Sequence, residues 1–290
     1  MAVVFWTWLW GPLGLVLSTP LTACLVVLGK YVPQLEFFNV LLGSEPVLDA
    51  EVTYYQRLLA RDQDEATELV DAFLEDHPAE MVYDQVLVPA LVLAKRDRER
   101  HTLAAEDEGF ILNVTRDILN DLVSPQEACG TTSEEPLPEQ PKISILGCPA
   151  RDAEDELALH MFRQLLQGDH VHCQVEILSA QTLCGELVSH VEQERPDLVC
   201  IAALPPGGET LCRYLCKRLR SHFPDLKIVV GRWGLAEGLD KVRERLTSAG
   251  ANAVAASLLE SGNQVVPLMQ ALAHVKTQPR DEPLESSRAR

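Results

Sequence analysis

Between residues 142 and 276 short apolar runs alternate with amphipathic stretches, and nothing else in the chain constrains its fold as strongly. Runs rich in Ile, Val and Leu occupy 143–146, 172–178, 198–203, 227–230 and 253–256, each too short for an ordinary helix. After them, 152–166, 182–194, 210–220, 236–248 and 263–274 carry apolar residues at helical spacing. Strand followed by helix, five times over, predicts a parallel sheet with right-handed crossovers. An open, doubly wound α/β sheet takes ligands at the carboxyl ends of its strands. The first candidate loop therefore lies in Ile143-Ser-Ile-Leu-Gly-Cys-Pro-Ala-Arg-Asp-Ala-Glu-Asp-Glu-Leu157.

At 290 residues the chain has room for more than this one domain, and its charge divides it further. Residues 44–141 carry 23 acids against 7 bases, whereas 142–290 carry 19 against 17, so the net charge of -18 belongs almost wholly to the middle third. Phosphate backbones would be repelled there, which argues against nucleic acid as a partner. The 8 cysteines show no C-x-x-C pair, and Cys212 and Cys216, one helical turn apart, suit a buried helix face. Unpaired thiols point to a reducing compartment.

Upstream, Ala2 to Leu28 has no charged residue and is long enough to cross a bilayer, so 1–43 is expected to be a transmembrane segment with its exit. Trp6, Trp8 and Trp10 suit a membrane interface, and Lys30 after the apolar run places the downstream domains in the cytoplasm. Across 44–123 apolar residues recur at helical spacing in four groups, which predicts a four-helix cap. Asp62 is its clearest N-cap, and Lys95-Arg-Asp-Arg-Glu-Arg100 reads as a solvated helix face. Residues 124–141, rich in Pro, Ser, Thr and Glu, form a linker, and 277–290 a polar, disordered tail.

Three stretches resemble known families. Phe5-Trp-Thr-Trp-Leu-Trp-Gly-Pro-Leu-Gly14 and Cys24-Leu-Val-Val-Leu-Gly-Lys30 look like the last membrane segment of the autoinducer-2 exporter permeases. That resemblance implies a fragment of an exporter at the cell membrane, with the membrane and other permease subunits or helices as partners. Arg57-Leu-Leu-Ala-Arg-Asp-Gln-Asp-Glu-Ala66 and Val82-Tyr-Asp-Gln-Val-Leu-Val-Pro-Ala-Leu91 are similar to the helical cap that precedes cobalamin-binding domains. The α/β stretch 142–276 resembles the cobalamin-binding domain itself, a flavodoxin-like fold.

The last resemblance implies a motif, D-x-H-x-x-G, after the first strand, with the His as lower axial cobalt ligand and the Asp orienting it. Here Asp152-Ala-Glu-Asp-Glu-Leu157 puts Glu154 at the His and Leu157 at the Gly, and His160 lies inside the helix. Ala202-Ala-Leu204 replaces S-x-L after the third strand, and Gly231-Arg232 replaces Gly-Gly after the fourth, with Trp233 adding bulk where the nucleotide tail would thread. These departures imply that cobalamin binding has been lost. The alternative is a cobalamin-dependent regulator or corrinoid-binding protein, in which cobalamin is bound without that His.

The carboxyl edge keeps Asp152, Glu154, Asp155, Gly207, Gly208, Gly231, Arg232 and Trp233 as candidate ligand-binding residues. Gly207 and Gly208 before a helix could turn N–H groups toward a small anionic or nucleotide-like ligand, with Arg232 as charge partner and Trp233 as a stacking surface. The competing reading is a tight turn with Arg232 paired to Asp152 or Asp155. Arg213, Lys217 and Arg220 share a helix face that could dock on the acidic cap or stay solvated. No G-x-S-x-G elbow, P-loop or H-E-x-x-H is present, so a catalytic role is not expected. His170, His172 and Cys173 could hold a metal together or sit singly on the surface.

Overall fold

The computed structural model describes residues 49–122, 143–168 and 173–277. Apart from Asp49, these belong to one compact unit, Ala50–Arg290. The expected transmembrane segment (1–43), the linker (124–141), His170 and His172, and the tail beyond Thr277 lie outside the described residues. Among the described residues no helix is long and apolar enough to cross a membrane. The expected fold, a membrane segment ahead of a cap and a sheet, is corrected accordingly: the structure describes an α/β unit with a helical layer and, among the described residues, no membrane span.

The helical layer comprises α1 (Ala50–Leu59), α2 (Gln63–Asp76), α3 (Ala79–Val82), a π-helical turn (Tyr83–Leu87), α4 (Val88–Glu99) and α5 (Ala105–Asp121). Asp62 caps α2, its side chain accepting the Glu65 N–H at 3.1 Å. His77, ahead of Pro78, is extended and ends that helix. The π turn joins α3 to α4 and has a local cause in Pro89. Proline lacks an N–H and its ring crowds the carbonyl four residues back, so the ladder widens and the Val88 N–H bonds to Tyr83 O.

The sheet comes next, with β1 (Ile143–Pro149), α6 (Ala153–Gly168), β2 (Cys173–Ile177), α7 (Cys184–Glu194), β3 (Leu198–Ala202), α8 (Glu209–His222), β4 (Lys227–Gly231), α9 (Leu239–Ser248), β5 (Ala253–Ala255) and α10 (Leu258–Thr277). All pairings are parallel, in the order β2-β1-β3-β4-β5. The expected five-stranded parallel sheet is thus present, with its topological switch between β1 and β3.

Period-two alternation divides the central strands between two cores. Ile145, Leu198, Cys200, Ala202 and Val229 face α6, α10 and the helical layer, all in one continuous apolar cluster. Leu146, Cys148, Val199, Ile201, Ile228 and Val230 face the other way, onto α7, α8 and α9, where Cys212 and Cys216 are buried. The helical layer therefore shares a core with one face of the sheet.

Candidate functional site

The crevice at the carboxyl ends of β1 and β3 is filled by side chains of the protein itself. Asp155, in the first turn of α6, is fully buried and is the hub. Its Oδ1 accepts the Leu204 N–H at 2.8 Å, from the loop after β3, and Nζ of Lys95 at 3.0 Å, from α4. Its Oδ2 accepts the N–H groups of Arg151 and Asp152. One carboxylate thus joins the first loop, the third loop and the helical layer at the topological switch.

Around it Lys95, itself buried, reaches Asp152 Oδ2 at 2.9 Å. Arg98 contacts Glu154 at 2.9 Å, Asp152 at 3.2 Å and Glu108 at 2.5 Å. Asp152 Oδ2 and Glu154 Oε1 meet their cations at ion-pair distance without good hydrogen-bond geometry. Burial, the largest influence, raises the pKa of Glu154 and outweighs the opposing pull of Arg98. Removing such charges from water costs several kcal/mol per ion, and only close partners offset it.

Lys95 and Arg98 escaped the sequence reading, which put their run on a solvated face. The available signal was the apolar Leu91-Val-Leu-Ala94 just before it, which carries the helix still buried into Lys95. Of the two readings of the Arg213, Lys217 and Arg220 face, the solvated one describes Arg213 and Lys217, and the docking on the acidic cap does not occur. Cations of the helical layer meet acids of the α/β part, while Arg213 and Lys217 stay exposed on α8, which packs on the far face of the sheet. Arg220 instead donates to the carbonyls of Leu226 and Gly250.

Arg232 and Trp233 sit nearby in a separate arrangement. The Arg232 guanidinium, 3% exposed, donates to Ala203 O and Gly207 O, each at 2.7 Å. It makes neither the expected pair with Asp152 or Asp155 nor an open anion contact. Gly207 and Gly208 both have φ of +75°, and a Cβ at Gly208 would lie 3.0 Å from Arg232 Nη1 and 2.9 Å from Ala203 Cβ. Their glycines are thus needed for the turn that receives the arginine. Trp233 is wholly buried, donates Nε1–H to Ser261 Oγ at 2.7 Å and tilts against Phe162 with ring centroids 5.4 Å apart. A Cβ on Gly231 would fall 2.3 Å from the Trp233 ring, so the indole fills the space beside the glycine instead of offering a stacking surface.

These residues do not fit a cobalamin held by a protein imidazole. Glu154, at the position where the resemblance puts the ligating histidine, is turned into an ion pair, and the ground beside Gly231 is taken by an indole. Cavities occur elsewhere. One of about 20 Å³, room for one water, is lined by Cys148, Leu178, Cys184 and Leu215. An open groove of about 510 Å³ lies at the opposite, amino edge beside Arg195, Phe223 and Leu226.

No known family profile matches the chain, and no curated protein does. Solved structures do. The monomethylamine corrinoid protein of Methanosarcina barkeri superposes with a TM-score of 0.51 at 14% identity, over 74% of this chain and 96% of that one. A cobalamin-binding protein from Desulfitobacterium hafniense matches at a TM-score of 0.37 and 13% identity, over 76% and 98%. The methanol:cobalamin methyltransferase complex of Methanosarcina barkeri matches at 0.36 and 12%, over 78% and 81%. The first likeness establishes the fold, and it spans more than the α/β part, which is under half of the chain.

The exporter reading is corrected accordingly. The structure whose likeness establishes the fold is a corrinoid protein, not a permease, and among the described residues no helix is long and apolar enough to cross a membrane, so transporter function and placement in the cell membrane are withdrawn.

Proposed function

We propose that this chain is a non-catalytic regulator of the corrinoid-protein type, acting through contacts of its helical layer and sheet with another molecule. The observation that carries this reading is the interface between the two layers, closed by buried ion pairs at the edge where the fold takes its ligands. Asp152, Glu154 and Asp155 at that edge are each paired with a cation of the helical layer. The fold shared with a corrinoid protein supports the class.

A second reading, a cobalamin-dependent regulator, is favoured by the same likeness. In it, cobalamin is taken up without a protein imidazole, and the side chains between the layers move aside. Gel filtration after incubation with hydroxocobalamin or adenosylcobalamin, followed by absorbance, separates the two. The closed arrangement predicts that no corrin spectrum co-elutes with the protein. Stoichiometric retention would establish the cobalamin-dependent reading in its place.

A further inference from the structure

The ions between the layers are spaced as a connected set. Lys95 bridges Asp152 and Asp155, Arg98 bridges Asp152, Glu154 and Glu108, and Asp155 carries the contact on to the Leu204 N–H. Every contact of Lys95 and the contacts of Arg98 to Asp152 and Glu154 run from α4 to the first turn of α6 or the loop before it. Lys95, Glu154 and Asp155 are almost wholly buried, and charges so placed are poor stabilisers compared with apolar packing, whereas their geometric demands suit them to fixing one arrangement. The apolar core shared by the layers supplies attraction without direction, whereas each of these ion pairs requires one position of α4 relative to α6.

We infer that this cluster is a lock which holds the helical layer shut on the carboxyl edge of the sheet. Glu154 is its distinctive member. At the loop position where the resemblance puts a cobalt-ligating histidine, it bonds Arg98 of the helical layer instead, so the protein closes the gap itself. The comparison with a histidine rests on the corrinoid-type reading above. The lock rests on the distances alone.

The test is hydrogen exchange by mass spectrometry on the full cofactor-free chain, comparing wild type with Arg98→Met, Glu154→Ala, which removes the contact itself and not only its charge, and the double variant. A lock predicts at least tenfold faster exchange in α4 and in the first turns of α6 for each single variant, with β3 and β4 amides unchanged. It further predicts that the double variant is no worse than the faster single, because both remove one contact. Acceleration spread evenly over the sheet, or effects that multiply in the double variant, would overturn the lock. The corrinoid-type reading fails separately: a chain that retains a corrin yet shows the coupled local opening keeps its lock and loses the closed mode of action.

Discussion

Gly231 and Trp233 show how single residues decide what this edge can hold. The glycine ends β4, and the indole two residues on folds back over it to reach Ser261 on α10. A methyl group at 231 has no room, because the nearest ring atom lies 2.3 Å from its ideal position and is held by packing against Phe162. Gly231→Ala is therefore expected to destabilise the fold by about 3 kcal/mol, the upper range for overpacking a closed core. Urea denaturation reads it directly, and a change below about 1 kcal/mol would mean that the indole swings aside easily. Sequence reasoning located the bulk of Trp233 but assigned its face to a ligand, since a residue's neighbours in another helix leave no local trace.

At the scale of elements, the helical layer is tied to the sheet at α10 as well as at α6. Asp84, in the π-helical turn, accepts the N–H groups of Leu258 and Leu259 at 2.7 and 3.0 Å, so a residue 174 positions earlier caps this helix. The carboxylate satisfies two of the four unpaired donors of the first turn and opposes the positive end of the helix dipole. Tyr83 beside it donates to Gln164 of α6, which in turn donates to Leu119 O of α5. Asp84→Ala is expected to cost about 1–2 kcal/mol, as for loss of an N-cap, with faster exchange confined mainly to the start of α10. Chemical denaturation with exchange of the 258–261 amides checks both parts. The widened turn that aims Asp84 traces back to Pro89, which sequence alone picks out; its target was not legible, because capping across a long separation depends on how layers meet.

For the whole molecule, burial of ionisable groups between the layers makes stability respond to pH in an uncommon sense. Burial is the largest influence on both Asp84 and Glu154 and raises the pKa of each. Between the ordinary carboxylate range and these raised values the folded chain keeps protons that the unfolded chain has released. Stability from these two groups is therefore fully present below the ordinary values and is lost as pH rises through the raised ones. The double variant Asp84→Asn, Glu154→Gln should flatten that dependence from the ordinary carboxylate range upward. Urea midpoints of both proteins across this range test it, and parallel curves would show that the two groups do not carry the effect.

The sequence by itself determined the sheet. Its alternation of short apolar runs with amphipathic stretches specifies parallel strands joined by crossovers, and the two-residue period within each strand assigns its two faces. It also determined which residues gather at the carboxyl edge, since loop position is set by strand order. Only the tertiary structure decided what those residues do there. Asp152, Glu154 and Asp155 were legible as edge acids, yet their partners, Lys95 and Arg98, come from a helix about 60 residues earlier whose charges look solvated when read along the chain. Arg232 was legible as a cation, yet two backbone carbonyls satisfy it. The physical reason is common to both cases. Burial and ion pairing depend on which surfaces the shared apolar core brings together, and that core is assembled from segments whose contacts no local pattern records.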